Sequence, residues 1–420
     1  MLNNNKEILS IVDNYDTPLY LYDGNNLRQN YYSFKEKLHK SIDIFYSLKA
    51  NSNVSIASLF CLWGTGIEVA SIGEMKIALA AGFSPKNIIF SGPGKTKEEL
   101  EFAIETKVYC IIVESLEELK LISSICKNID NGIANIGIRV NPEKNTSNAK
   151  IKMGGVPRQF GIDELQLDRV FKFIDQNRNV NFRGIHIYIG TQILDENSLI
   201  QTFQYTLELA KRIKSTYNLT CEMIDLGGGF GVQYFSNETK LNFDILSVQL
   251  NQLINEYLPY FPKTKFIIES GRYLLAESGT YLTRALYTKN SKGEKFVITD
   301  GGLHHHQAAT FRGRMMRNNF PIKVVKRETD NNIQYEKVNI VGSLCTSEDC
   351  LGKDLMLPSI ETGDLICILK SGAYGLSYSP IHFLGHRTPL ELLSIDNENF
   401  IIRDRGKDDD LLLNQNLIDW

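Results

Sequence analysis

The sequence predicts an α/β protein, an N-terminal (β/α)8 barrel followed by a C-terminal all-β domain, and three features predict it. Between about residues 40 and 280, short apolar runs alternate with amphipathic stretches. Several of those stretches open with a helix-capping signature. Beyond residue 280 the runs follow one another without helical stretches between them.

The first set of runs is rich in Ile, Val, Phe and Tyr and apolar on both faces, as strands buried in a parallel sheet are. In order they are IDIFYSL (42–48), GIEVA (66–70), NIIF (87–90), YCIIV (109–113), NIGIRV (135–140), FRGIHIYI (182–189), EMIDL (222–226) and KFIIE (265–269). Ser71-x-x-Glu74, Thr96-x-x-Glu99 and Ser115-x-x-Glu118 each have the form of a capping box, in which hydroxyl and acid satisfy each other's orphan amides. About eight strands separated by helices fit a closed barrel, with a doubly wound sheet as the rival on pattern alone. In the second part, TYLTRALYTK (280–289), EKFVITD (294–300), PIKVVKR (321–327), YEKVNIVG (335–342), DLICILK (364–370) and FIIRD (400–404) read as strands joined by turns. TPLYLYD (17–23) is strand-like and is expected to pair with this second domain. The boundaries so read are 24–280 for the barrel and 1–23 plus 281–420 for the β-domain.

At 420 residues the chain exceeds the roughly 250–300 residues at which single cores stop growing, so two domains are expected. A net charge of −3 gives no reason to expect nucleic acid or membrane partners. No apolar run reaches the ~18–20 residues needed to span a bilayer, and MLNNNKEILS lacks the layout of a secretory signal. Seven cysteines without a CxxC pair indicate neither a zinc site nor a disulfide framework. The expectation is a reduced, cytoplasmic protein.

Four features fall where a barrel places an active site, at the C-terminal ends of its strands. Lys49, in YSLKAN, closes the first run, and desolvation there would favour the neutral amine that Schiff-base chemistry needs. A rim lysine facing water is the plainer reading. Asp225-Leu226-Gly227-Gly228-Gly229-Phe230-Gly231 follows the seventh run, and such glycines let backbone amides approach an anion closely, though a tight turn would look the same. Glu269-Ser270-Gly271-Arg272 closes the eighth run and is either a surface pair or two groups serving opposite ends of one ligand. His186 stands alone in an apolar strand, where a satisfied core histidine is the common case.

Taken together and in this order, these motifs resemble the fold-type III pyridoxal-5′-phosphate (PLP) decarboxylases, the family of diaminopimelate and ornithine decarboxylases. The resemblance runs from PLYLYDG near the start to GAYGLSYSPIHFLGH near the end. It implies a barrel of the alanine-racemase type, a C-terminal β-domain, PLP as cofactor, and a head-to-tail homodimer with shared active sites. It further implies that Lys49 would hold the cofactor covalently, with the acidic Glu68 nearby. His186 would lie against the cofactor ring and Glu269 would pair with its pyridine nitrogen. Gly228, Gly229 and Arg272 would hold the phosphate, helped by Tyr374, and Gly271 would also be cofactor-binding. Cys345 would be the proton donor that the partner subunit inserts.

Diaminopimelate decarboxylases typically place glutamate after that cysteine, whereas this chain has Cys345-Thr346-Ser347-Glu348-Asp349-Cys350. NIIFSGPGK, IKMGGVPRQFG, DGGLHHH and CTSEDCLGKD resemble the carrier-dependent branch, the glutamyl-acyl-carrier-protein decarboxylases of butirosin-type antibiotic biosynthesis. That resemblance implies conversion of a glutamyl thioester to a 4-aminobutyryl thioester, with an acyl-carrier protein as partner. A meso-diaminopimelate decarboxylase giving lysine is the alternative. A racemase is disfavoured by Glu269, since racemases of this fold place arginine at the pyridine nitrogen. A non-catalytic PLP-binding decoy is disfavoured because both Lys49 and Cys345 are present. His304, His305 and His306, read as an extended segment, would alternate faces and could not share one ion, so no metal is expected. Arg312, Arg314, Arg317 and Lys323 would either meet an acidic carrier or form a solvated basic face.

Overall fold

The computed structural model describes residues 5–130, 132–143, 151–152, 157–312, 318–327 and 333–418; Arg314 and Arg317 lie outside them. The chain divides into two compact units. One comprises Tyr32–Gln233 and Thr239–Tyr273, the other Met1–Tyr31, Tyr234–Glu238 and Leu274–Trp420.

In the first unit, the parallel strands Ile42–Ser47, Gly66–Val69, Ile88–Phe90, Cys110–Val113, Ala134–Asn141, Val180–His186, Met223–Asp225 and Lys265–Ser270 close into a barrel. The doubly wound alternative is thereby excluded, since the strand Cys110–Val113 pairs with Ala134–Asn141 and no open edge remains in the ring. Phe45, Ile89, Cys110, Ile112, Met223 and Ile267 fill part of the interior, so the ring is a packed core rather than a pore. Register sets which side chains meet at the C-terminal rim. His186 pairs in register with Asp225, and Ser47 with Glu68.

The expected helix starts form with one variation. Thr96 and Glu99 make the full reciprocal box. Ser71 and Ser115 accept from the amides of Glu74 and Glu118, but those acids reach back one residue further, to the amides of Ala70 and Glu114. The run 182–189 is also shorter as a strand than its composition suggests. It begins at Val180 and ends at His186, and Tyr188 already belongs to the rim.

In the second unit, strand Leu19–Asp23 pairs antiparallel with Gly279–Ser291 and parallel with Leu390–Ile395. Ile8, Ile11 and Val12 of the helix Asn5–Tyr15 pack with Leu19, Leu21, Leu282, Val325, Leu365 and Leu392 in one core cluster. Among the described residues of this unit, two strands escaped the sequence pattern, Cys350–Pro358 and Leu390–Ile395. The first carries Lys353 and Asp354 at its centre, with Asp354 at φ 55°, which breaks the alternation a strand normally shows. Among the described residues no helix is long and apolar enough to cross a membrane.

Candidate active site

The barrel rim gathers Lys49, Glu68, His186, Gly228, Gly229, Glu269, Gly271 and Arg272, each at or just beyond the C-terminal end of its strand. Cys345 and Tyr374 belong to the second unit.

Lys49 sits in the short 3-10 turn Leu48–Ala50 that follows the first strand. Its side chain is 40% exposed in this chain, so the desolvation expected from the sequence is not what surrounds it. The strand ends two residues earlier, and the turn lifts the amine off the packed interior. The amine donates to both Glu68 oxygens, at 3.0 and 2.9 Å. Glu68 is buried, and its second donor is the Ser91 hydroxyl. Burial pushes the Glu68 carboxyl up, but Lys49, Ser91 and Arg139 together outweigh it and hold the group below its usual range.

Across the rim lies a buried cluster of a different character. His186, Asp225 and Glu269 present side-chain atoms that all lie within 4.8 Å of one another. Burial, reinforced by Arg139, Lys49 and Lys95, drives the His186 imidazole well below its ordinary value and keeps it neutral. Neither of its ring nitrogens has a hydrogen-bond partner, and Nε2 stands 3.8 Å from Glu269 Oε1. Burial, with Asp225 and Glu68 adding repulsion, pushes Glu269 well above the carboxylate range. Burial likewise raises Asp225 to about 7, although Gly227 N donates to it at 2.8 Å. Two acids at this depth share a shortage of positive charge that a bound cation would relieve.

The glycine run provides the other end of the site. A Cβ on Gly228 would lie 2.1 Å from the Glu269 carbonyl oxygen, and one on Gly229, at φ +92°, 2.4 Å from that of Gly190. Only glycine allows the backbone to close this far. Gly271 lies against Ala50 and Ser47 in the same way, holding the end of the eighth strand to the Lys49 turn. Arg272 opens the short helix Arg272–Leu275 directly behind it.

In the second unit, Cys345 is exposed, between strands Tyr335–Val341 and Cys350–Pro358. Tyr374 is half-buried at φ 55°, with its ring edge-on to Tyr378 at 6.1 Å. His304, His305 and His306 are buried on a turn rather than along an extended segment, because His305 N and His306 N both donate to Gly302 O.

Three contributors went unassigned in the sequence. Asp225 was visible only as the start of the glycine motif, and Ser91 carries no signal of its own. Arg139 did leave one, a charge inside the apolar run NIGIRV. Its guanidinium pairs with buried Glu114 at 3.1 Å and lies 4.8 Å from the Phe160 ring centroid. Glu114 also accepts from Gly92 N and Gly161 N.

The acid pair has a measurable consequence in cofactor-free protein. The Asp225 carboxyl titrates at 3.8 when exposed and at about 7 when folded. A raised acid favours folding below its unfolded value and loses that advantage as pH rises through its folded value. Asp225→Asn removes the effect. Its Tm relative to wild type should therefore climb between about pH 4 and pH 7 and level off above, by stability on the order of a few kcal/mol. A difference that stays flat with pH would show that Asp225 is not carrying this charge.

Residues 25–276 match the family described as pyridoxal-dependent decarboxylase, pyridoxal binding domain. The chain is 49% identical over 411 residues to the L-glutamyl-[BtrI acyl-carrier protein] decarboxylase of Niallia circulans, covering 97% of this chain and 96% of that protein. It is 35% identical to a diaminopimelate decarboxylase of Helicobacter pylori, covering 94% and 95%. Among solved structures, the H. pylori diaminopimelate decarboxylase complexed with L-lysine superposes with a TM-score of 0.86 at 32% identity, covering 97% of this chain and 98% of that one. The diaminopimelate decarboxylase from M. jannaschii in complex with L-lysine gives 0.89 at 28% identity, covering 98% and 94%. A closed barrel with an acid pair, a neutral histidine, a glycine cradle and a lysine on its rim, together with these relatives over almost the whole length, means that the chain belongs to the pyridoxal-dependent decarboxylases.

Proposed function

We propose that this PLP-dependent decarboxylase removes the α-carboxylate of a glutamyl group thioesterified to an acyl-carrier protein, leaving a 4-aminobutyryl thioester for secondary-metabolite biosynthesis. The observation that carries this reading is the 49% identity to a glutamyl-carrier-protein decarboxylase, against 35% to the diaminopimelate enzyme. Thr346 supports it, standing where diaminopimelate decarboxylases typically carry glutamate.

The rim residues fit the cofactor. Lys49 would hold it through its amine, His186 would lie against the ring, and Glu269 would face the pyridine nitrogen. Gly228, Gly229, Gly271 and Arg272 would hold the phosphate, with Tyr374 assisting. When bound, PLP supplies a sink for the electron pair left at Cα when CO2 departs. Glu269 and Asp225, two buried acids close together, would favour a cationic ring nitrogen over a neutral one. A neutral His186 offers a flat face without placing a second cation against the ring. Glu68 orients the Lys49 amine by accepting from it with both carboxylate oxygens. Cys345 would return a proton to Cα, and the family resemblance makes it the partner subunit's contribution in a homodimer.

A carrier-borne substrate gains affinity from remote contacts along its arm, so the pocket need not read a distal charge. CO2 release from glutamyl-loaded carrier should exceed that from free glutamate or free diaminopimelate by about 100-fold or more in kcat/KM. Efficient turnover of free diaminopimelate with none of the thioester would assign the chain to lysine formation instead.

A further inference from the structure

We propose that Asp349 is the positioning residue for Cys345, pinning the loop that carries the thiol to the histidine turn; this rests on the reading of Cys345 as the proton donor. The Asp349 side chain is 2% exposed, and its two oxygens accept from backbone amides rather than from a basic side chain. Oδ1 accepts from Leu303 N at 2.6 Å and Oδ2 from Leu344 N at 2.8 Å. The first amide belongs to the turn that carries the three histidines, and the second immediately precedes Cys345. The carboxylate is therefore a peg between the two segments.

Glycines close on it from both sides. A Cβ on Gly302 or on Gly342 would lie 2.2 Å from a carboxylate oxygen. The loop also folds back on its own backbone, with Gly342 N donating to Asp349 O at 3.1 Å and Asp349 N to Thr346 O at 3.3 Å.

The turn it grips is anchored through the histidines. Tyr20 donates its hydroxyl to His305 O at 2.7 Å. The His305 ring bonds Tyr281 Oη at 3.0 Å and Arg387 O at 2.8 Å, and the His306 ring bonds Ser371 Oγ at 2.8 Å. These bonds hold the turn through His305 and His306, while both ring nitrogens of buried His304 have no hydrogen-bond partner. His305 and His306 thus acquire a task, anchoring the turn, and Asp349 ties the neighbour of Cys345 to it.

An acid that must reach one face of a carbon depends on its placement, and a displacement of about 1 Å can cost on the order of 100-fold in rate. Asp349→Asn keeps the volume but turns an amide NH2 toward one of the two backbone donors, so one end of the clamp becomes repulsive. In the holoenzyme this variant should lower kcat by on the order of 100-fold, with KM changed far less. The decisive measurement is the double variant. If Asp349 acts through Cys345, adding Asp349→Asn to Cys345→Ser should slow the enzyme no further than Cys345→Ser alone. An equal fold-loss in both backgrounds would overturn the proposal and leave Asp349 a general stabiliser. Should Asp349→Asn fail to fold, Gly342→Ala presses the same carboxylate from the opposite side and is read by the same cycle. If Cys345→Ser turns over at the wild-type rate, the proton-donor reading has failed, and the positioning role falls with it.

Discussion

Replacing Lys49 with alanine is expected to lower decarboxylation by about 10⁴-fold or more, the scale on which enzymes lose activity when a covalent group is removed. The same variant should lose the cofactor's absorbance band near the visible edge after dialysis. Two effects are mixed in that substitution, because Glu68 also loses the cation that holds it ionised. Lys49→Arg separates them. Arginine keeps a charge beside Glu68 but does not surrender a proton at accessible pH, so it cannot offer a neutral amine. Lys49→Arg should therefore be as inactive as Lys49→Ala yet closer to wild type in Tm. The stability difference between them should be about 1–3 kcal/mol, since Lys49 is 40% exposed but buried Glu68 is left without its cation in Lys49→Ala. Retention of the band by dialysed Lys49→Ala would refute the assignment of the anchoring amine.

The second large effect concerns Cys345. Cys345→Ala should cost about 10²–10⁴-fold, the usual contribution of a placed proton donor. Lys49 lies in the barrel unit and Cys345 in the other, so the proposed dimer makes a sharper demand than either single variant. Mixing Lys49→Ala protein with Cys345→Ala protein should restore activity far above that of either, because a mixed dimer assembles one site from the two unaltered residues. Failure to recover, with subunit exchange verified independently, would mean that the two residues serve the same chain.

The barrel was legible because a parallel sheet covered on both faces must be built from short, uniformly apolar strands, and those runs stand out between capped helices. IDIFYSL and KFIIE read as strands for that reason. The strand Cys350–Pro358 did not, since its middle is occupied by charged residues that face solvent or turn back on the chain. The family motifs were legible for a different reason. YSLKAN, DLGGGFG and ESGR carry chemistry on backbone shapes that few residues permit, so the identity of the residue and the need for it coincide. Asp225 shows the limit of that reasoning. It stands in a recognised motif, but its significance comes from facing Glu269 and His186, which are distant in the chain.

The order of strands, the close approaches that demand glycine and the kinds of chemical group available are properties of the chain, and they can be read along it. Charge state cannot. The tertiary structure decided that Lys49 leans out to a buried Glu68 instead of being stripped of water. It also decided that His186 is neutral, that Asp225 and Glu269 hold protons at unusually high pH, and that three successive histidines share one turn. Each outcome is set by which groups lie within a few ångströms once water has been excluded, where Coulomb interactions and desolvation are strongest. Such distances exist only after the barrel has closed and the β-strands have paired.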